Sequence, residues 1–163
     1  MISVCFVCLG NICRSPTAEG VMLKKLKDHN LQDVIAIDSA GTSAYHVGER
    51  ADARSRECAQ KRGYELQSRA RQFTNLDFEQ FDYIIAMDQS NRQNLLLSST
   101  EEHKQKIFMF RQFEEGMNSL SDVPDPYYGG PSGFDNVLDI CERGCDGLIE
   151  FIKKQRFLDK NHI

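Results

Sequence analysis

The apolar run from Ser3 to Cys8 breaks off at Leu9-Gly10-Asn11, and Ser15-Pro16 follows after one short turn. A short, β-branched run of this kind reads as a strand buried on both faces. Gly10 and Asn11 are the residue types that best tolerate positive φ, so the chain can turn sharply at the strand's end. Pro16 suits the first position of a helix with Ser15 as its cap, and Ala18, Val21, Met22 and Leu26 then share one helical face before His29. A strand passing through a tight turn into a helix is the repeating unit of an α/β sheet.

The rest of the chain continues that pattern. Val34 to Ser39, Tyr83 to Met87 and Lys106 to Phe110 read as further buried strands. After Gly133, the residues Phe134, Val137, Leu138, Cys141, Cys145, Leu148, Ile149 and Ile152 keep helical spacing and predict a long docked helix. Strands alternating with helices predict a parallel sheet covered on both faces, with ligands outside the carboxyl ends of the strands. Cys8 stands at such an end. A length of 163 residues suits one domain, 1–163. Ser119 to Ser132, rich in Pro, Gly and Asp, is the clearest loop.

The turn Cys8-Leu9-Gly10-Asn11-Ile12-Cys13-Arg14 has the composition of a phosphate cradle. Its amides, from Leu9 to Arg14, can curl inward as an anion-binding nest at a helix N-terminus. Arg14 adds a planar fork able to hold two phosphoryl oxygens. The same field favours the thiolate of a cysteine within it, so Cys8 is the candidate nucleophile. The Ser15 hydroxyl is placed to donate to that sulfur and to stabilise it as a leaving group. With six Cys and eleven Arg, chance alone supplies roughly 0.4 Cys-x5-Arg matches, so the strand, turn and helix context carries the argument.

Expelling an alcohol from phosphorus calls for a proton donor, which then serves as base for water. Asp125, in Val123-Pro124-Asp125-Pro126-Tyr127-Tyr128-Gly129-Gly130, is held by flanking prolines outside any helix or strand. Asp-Pro is also common turn chemistry. The paired Tyr127 and Tyr128 favour the catalytic reading, because aromatic side chains on a constrained loop can wall a deep slot for a flat phenyl phosphate. Tyr45 is the candidate for the opposite wall. A net charge of −4 argues against a nucleic-acid partner and requires any cationic pocket to be local.

These residues resemble the low-molecular-weight protein tyrosine phosphatases over almost the whole chain. The landmarks are Val7 through Pro16, Asp38-Ser39-Ala40-Gly41, Ala70-Arg71-Gln72, Phe81-Asp82-Tyr83-Ile84, Met87-Asp88-Gln89-Ser90-Asn91 and Asp125-Pro126-Tyr127-Tyr128-Gly129. The resemblance implies a four-stranded parallel sheet flanked by helices on both faces, Rossmann-like, of phosphatase type I. It implies cofactor-free and metal-free hydrolysis of phosphotyrosine and aryl phosphates through a cysteinyl phosphate, releasing inorganic phosphate. By position Cys8 is the nucleophile, Arg14 the phosphate-binding arginine and Asp125 the proton donor. Asn11 matches the asparagine that holds the phosphate loop in shape, supported by Ser39 after the second strand. Ser68 stands where many members carry a histidine that bonds this asparagine. The resemblance also implies a reversible Cys8–Cys13 bridge on oxidation and makes Tyr127 and Tyr128 candidate phosphorylation sites.

Two alternatives share the loop. Thiol-dependent arsenate reductases pass oxidation to downstream cysteines, and here no cysteine lies between Cys58 and Cys141. A phosphocysteine carrier or phosphotyrosine-binding protein has no need of Asp125. Cys5, Cys58, Cys141 and Cys145 fit strand or helix patterns and read as core residues. The histidines His29, His46, His103 and His162 have no spacing of a metal cluster and mostly read as surface residues. The chain has neither a signal-peptide pattern nor a membrane span, so we expect a cytoplasmic monomer with reduced thiols.

Overall fold

The computed structural model describes the backbone of residues 1–128, 130 and 132–161, with side chains other than that of Tyr128 and those of 157–161. Four parallel strands form one sheet in the order β2-β1-β3-β4: β1 Ile2–Cys8, β2 Ile35–Gly41, β3 Tyr83–Ala86 and β4 Ile107–Met109. Ile2 pairs with Ile35 and Cys8 with Gly41 on one side of β1, while Val4 pairs with Tyr83 and Val7 with Ala86 on the other. The chain first builds outward from β1 to β2 and then returns across β1 to β3, so the order reverses beside the carboxyl end of β1. Loops leaving neighbouring strands part there and open a crevice.

Side-chain alternation along β1 divides the core. Val4, Phe6 and Cys8 face the cluster that contains α1 (Arg14–Asp28) and the long α6 (Ser132–Asn161). Cys5 and Val7 face Phe78 of α3 (Asn75–Gln80) and Leu95 of α4 (Gln89–Ser98). Two shorter helices, α2 (Ala53–Lys61) and α5 (Glu101–Lys104), complete the α set. The apolar faces anticipated from spacing are those buried: Ala18, Val21, Met22 and Leu26 on α1, and Val137, Leu138, Cys141, Cys145, Leu148, Ile149 and Ile152 on α6. The first turn of α6 includes Gly133, earlier than expected. Cys58 is only partly buried, at the edge of the core. No helix among the described residues is long and apolar enough to cross a membrane.

One local expectation needs correcting. Helix α1 begins at Arg14 with Cys13 as its cap residue, so Ser15 and Pro16 lie inside the first turn. Thr17 Oγ1 donates to the Cys13 carbonyl at 2.6 Å, and Ser15 is released from capping for another use. Ser39 also lies within β2 rather than after it.

Candidate active site

The turn after β1 is shaped by bonds to its outer side. The carbonyls of Cys8, Leu9 and Ile12 accept from the amides of Thr42, Ser43 and Asp52 at 2.8–2.9 Å, and that of Cys13 from Thr17 at 3.3 Å. The peptides of this turn are trans, so each following N–H points the opposite way from its carbonyl. The amides of Leu9, Gly10, Cys13 and Arg14 are therefore directed to the inside of the turn. Asn11 takes φ 57° at its apex, a left-handed conformation that asparagine tolerates better than most residues. Gly41 lies directly beneath: a Cβ there would sit 2.7 Å from the Leu9 carbonyl oxygen and 3.2 Å from the Asn11 nitrogen.

Inside the turn, Cys8 Sγ is 3.0 Å from Ser15 Oγ and both residues are buried. Asn11 Nδ2 donates to Ser15 Oγ at 2.8 Å and to Ser39 Oγ at 2.9 Å, while its Oδ1 accepts from the Arg71 amide at 3.0 Å. Arg71 is itself clamped by Asp38 and Asp77. The turn is thus held by a side chain at its own apex, anchored to β2 and to the segment that pairs with it at Gly41 and Gln72.

Arg14 is 3% exposed. Its Nη1 donates to Asp88 Oδ2 at 2.6 Å and to the Val123 carbonyl at 3.1 Å, and its Nη2 stands 3.6 Å from Asp125 Oδ2. Burial opposes the charge, but Cys8, Asp88 and Asp125 more than offset it and hold the guanidinium above its ordinary pKa. Asp88 also caps α4, accepting from the Asn91 amide at 2.7 Å. The loop carrying Asp125 is tied to the same place, since the Val123 amide donates to the Met87 carbonyl and the Gln89 amide to Asp122 Oδ1. Asp125 Oδ1 accepts from the Tyr127 amide at 3.0 Å.

These groups enclose a cleft of about 210 Å³ lined by Cys8, Leu9, Gly10, Ile12, Cys13 and Arg14 below and by Ser43, Tyr45, His46, Asp125 and Tyr127 around the mouth. Tyr127 lies 6.5 Å from the His46 ring, and the Arg54 guanidinium stacks over it at 5.4 Å. A narrow slot with a sulfur, inward amides and an arginine at its base, and aromatic rings at its mouth, matches a planar aryl group carrying a tetrahedral anion.

The sequence profile of the low molecular weight phosphotyrosine protein phosphatases matches residues 3–158. The chain belongs to that family. A low molecular weight phosphotyrosine protein phosphatase of Rattus norvegicus is 44% identical over 91% of this chain and 94% of its own length. A low molecular weight protein-tyrosine-phosphatase of Streptomyces coelicolor is 40% identical, covering 93% of this chain and 94% of its own. The crystal structure of a protein tyrosine phosphatase from Entamoeba histolytica, with Hepes in its active site, superposes with a TM-score of 0.92 at 46% identity, over 96% of this chain and 99% of that one.

Within this phosphatase fold, the expected residues Cys8, Arg14, Asp125, Tyr45 and Tyr127 converge on one cleft. Tyr45 does so from the rim, 85% exposed. The Tyr128 side chain lies outside the described residues. Cys13 lines the cleft with its thiol pushed up to about 12, chiefly by burial and then by Asp52, against a bond from Ser55. Ser68 does not replace a histidine by bonding Asn11; it donates instead to Glu19 at 2.9 Å. Three contributors carry no clear mark in the sequence. Asp88 stands within a landmark motif, but its partner Arg14 is 74 residues away. His46 has the context of a surface residue yet lines the cleft, its Nδ1 2.6 Å from Glu49. Arg54 gives no signal at all, because its role comes from stacking across the fold.

Proposed function

We propose that this phosphatase hydrolyses phosphotyrosine and aryl phosphate monoesters with Cys8 as nucleophile, Arg14 as phosphate clamp and Asp125 as general acid and then base. The phosphoryl group sits in the turn from Leu9 to Arg14, against the inward amides of Leu9, Gly10, Cys13 and Arg14. Since Nη1 of Arg14 is committed to Asp88 and Val123, a two-point grip on the phosphoryl oxygens uses the Nε–Nη2 edge. Cys8 Sγ attacks phosphorus, the S–P bond forms, and the P–O bond to the phenol breaks as Asp125 delivers its proton to the departing oxygen. In the second step Asp125 takes a proton from water, the water oxygen bonds to phosphorus, and the S–P bond breaks to give inorganic phosphate. Ser15 then donates to the departing sulfur.

The observation that carries the reading is the placement of Cys8 Sγ, 3.0 Å from Ser15 Oγ at the base of a cleft that also holds Arg14 and Asp125. Leu9, Gly10, Asn11, Ile12 and Cys13 form the cradle, Asn11, Ser15 and Ser39 support it, and Tyr45 and Tyr127 wall the substrate. Cys8 and Cys13 form the redox pair. Cys145 is buried against the Ala18 carbonyl of α1, Cys141 is fully buried in the same core, and Cys5 faces the opposite side of β1 from Cys8, which supports hydrolysis over a thiol relay. We further infer a single domain over 1–163 acting as a cytoplasmic monomer on phosphotyrosine proteins. Metal-free turnover of p-nitrophenyl phosphate and a phosphotyrosine peptide tests the roles. Cys8→Ser should be inactive and Asp125→Ala slowed most for poor leaving groups; equal slowing for all leaving groups would remove Asp125 as the acid.

A further inference from the structure

One buried carboxylate lies behind the cleft and has no part in the steps above. Glu19, on α1, is 9% exposed. Among the described residues it has no ion-pair partner, and Arg71, whose field reaches it, is engaged by Asp38 and Asp77. Its Oε1 accepts the hydroxyls of both Ser39, at 2.5 Å, and Ser68, at 2.9 Å. A desolvated carboxylate with only hydroxyl partners is costly to maintain, which asks for a use.

Hydrogen-bond directions supply one. The Arg71 amide can only donate, so Asn11 Oδ1 must face it and Asn11 Nδ2 must donate to both serines. Ser39 uses a lone pair on Asn11 and sends its proton to Glu19; Ser15 uses a lone pair on Asn11 and sends its proton to Cys8. The chain therefore runs outward from Asn11 to two acceptors, a carboxylate at one end and a sulfur at the other. We propose that Glu19 is a positioning residue for the phosphatase reaction, its carboxylate holding Ser39, and through Ser39 and Asn11 the Ser15 hydroxyl, in the orientation that donates to Cys8. This rests on Cys8 being the nucleophile.

Ser39 of β2 and Ser68 of the segment before α3 bond Glu19. The charged or titratable groups that reach it are Asp38 of β2, Cys5 of β1 and Arg71, and Glu65 lines the same cavity. Burial pushes its carboxyl up, opposed by the two serine bonds and Arg71 and reinforced by Asp38. A cavity of about 260 Å³ beside Pro16, Leu66 and Ser68 lets solvent protons reach it. A raised carboxyl means the ionised form costs folding stability above its folded pKa, so neutralising Glu19 should not destabilise the protein at neutral pH.

The test uses Glu19→Gln, Glu19→Leu, Ser39→Ala and the Glu19→Leu/Ser39→Ala double variant, with kcat, KM, the rate of Cys8 alkylation by iodoacetamide, and Tm. Loss of one buried acceptor corresponds to about a tenfold fall in kcat for Glu19→Leu, with a smaller fall for Glu19→Gln, which keeps a neutral acceptor. KM should stay within about twofold, Glu19→Gln should show no loss of Tm, and the double variant should be no slower than Ser39→Ala alone. Alkylation of Cys8 should slow in both Glu19 variants. If Glu19 acted only through its field, removing a negative charge would favour the thiolate and speed alkylation. Faster or unchanged alkylation, or additive losses in the double variant, would overturn the proposal; turnover by Cys8→Ser would instead overturn the reading beneath it. If Glu19→Leu fails to fold, Glu19→Gln and Ser39→Ala decide the outcome.

Discussion

Asp88→Asn separates two jobs that one carboxylate performs. Asp88 Oδ1 caps α4 through the Asn91 amide, and Oδ2 holds Arg14 Nη1 at 2.6 Å. The side chains of Arg14 and Asp88 are only 4% and 19% exposed, so this pair is poorly screened by solvent. Asparagine has one acceptor oxygen. If it keeps the cap, its NH₂ meets the donor-only guanidinium; if it turns to hold Arg14, its NH₂ meets the Asn91 amide and the cap is lost. In the first arrangement a charge-assisted bond worth about 1.5–3 kcal/mol disappears from the residue that grips phosphate. At about 1.4 kcal/mol per factor of ten, kcat/KM should fall about ten- to hundredfold, and Tm should fall with it because the buried guanidinium loses its partner. In the second, activity survives but stability falls by about 1 kcal/mol. Steady-state hydrolysis of p-nitrophenyl phosphate, inhibition by inorganic phosphate and thermal unfolding read both arms. A variant with kcat/KM within about twofold of the parent and an unchanged Tm would refute the reasoning, because both functions of the carboxylate would then have been dispensable.

Other consequences follow from single contacts. Gly41→Ala would place a methyl 2.7 Å from the Leu9 carbonyl oxygen, so the phosphate loop must shift; kcat/KM should fall at least about tenfold while circular dichroism keeps the folded spectrum. Glu114, 4% exposed, accepts from Arg111 at 2.9 Å and Arg143 at 2.6 Å; burial raises its carboxyl, but these arginines hold it below the ordinary range. Its stabilisation is therefore complete above the unfolded carboxylate pKa and lost as pH falls through the depressed folded value. Glu114→Gln should cost about 1–3 kcal/mol in urea unfolding at neutral pH, with the gap closing in acid. The Cys13 thiol, pushed up to about 12 by burial and Asp52, should stay unlabelled by iodoacetamide at neutral pH in the Cys8→Ser variant, as peptide mapping would show.

The phosphate loop was legible because its meaning is local: an apolar strand, residues that tolerate positive φ, an arginine and a helix start fall within one stretch from Val7 to Pro16. The parallel sheet was legible for a similar reason, since strand and helix periodicities alternate along the chain. The start of α1 at Arg14 was not, because Ser-Pro reads as a cap, whereas the Ser15 hydroxyl is taken by Asn11 and Cys8. Asp88 and Arg54 act on partners from distant parts of the chain, and no spacing rule encodes such meetings. Glu19 was hidden differently: on a helix it looks like an ordinary exposed acid, and only the docking of β2 and the segment around Ser68 buries it.

Quenching turnover of p-nitrophenyl phosphate, whose leaving group needs least help from the acid, by the Asp125→Ala variant in acid, followed by peptide mapping, tests the central claim most directly. The account predicts one phosphoryl group on the peptide carrying Cys8, absent from the Cys8→Ser variant, because slowing the water step leaves the thiophosphate to accumulate. Phosphate release with no phosphoryl group on Cys8, or turnover by Cys8→Ser, would contradict it.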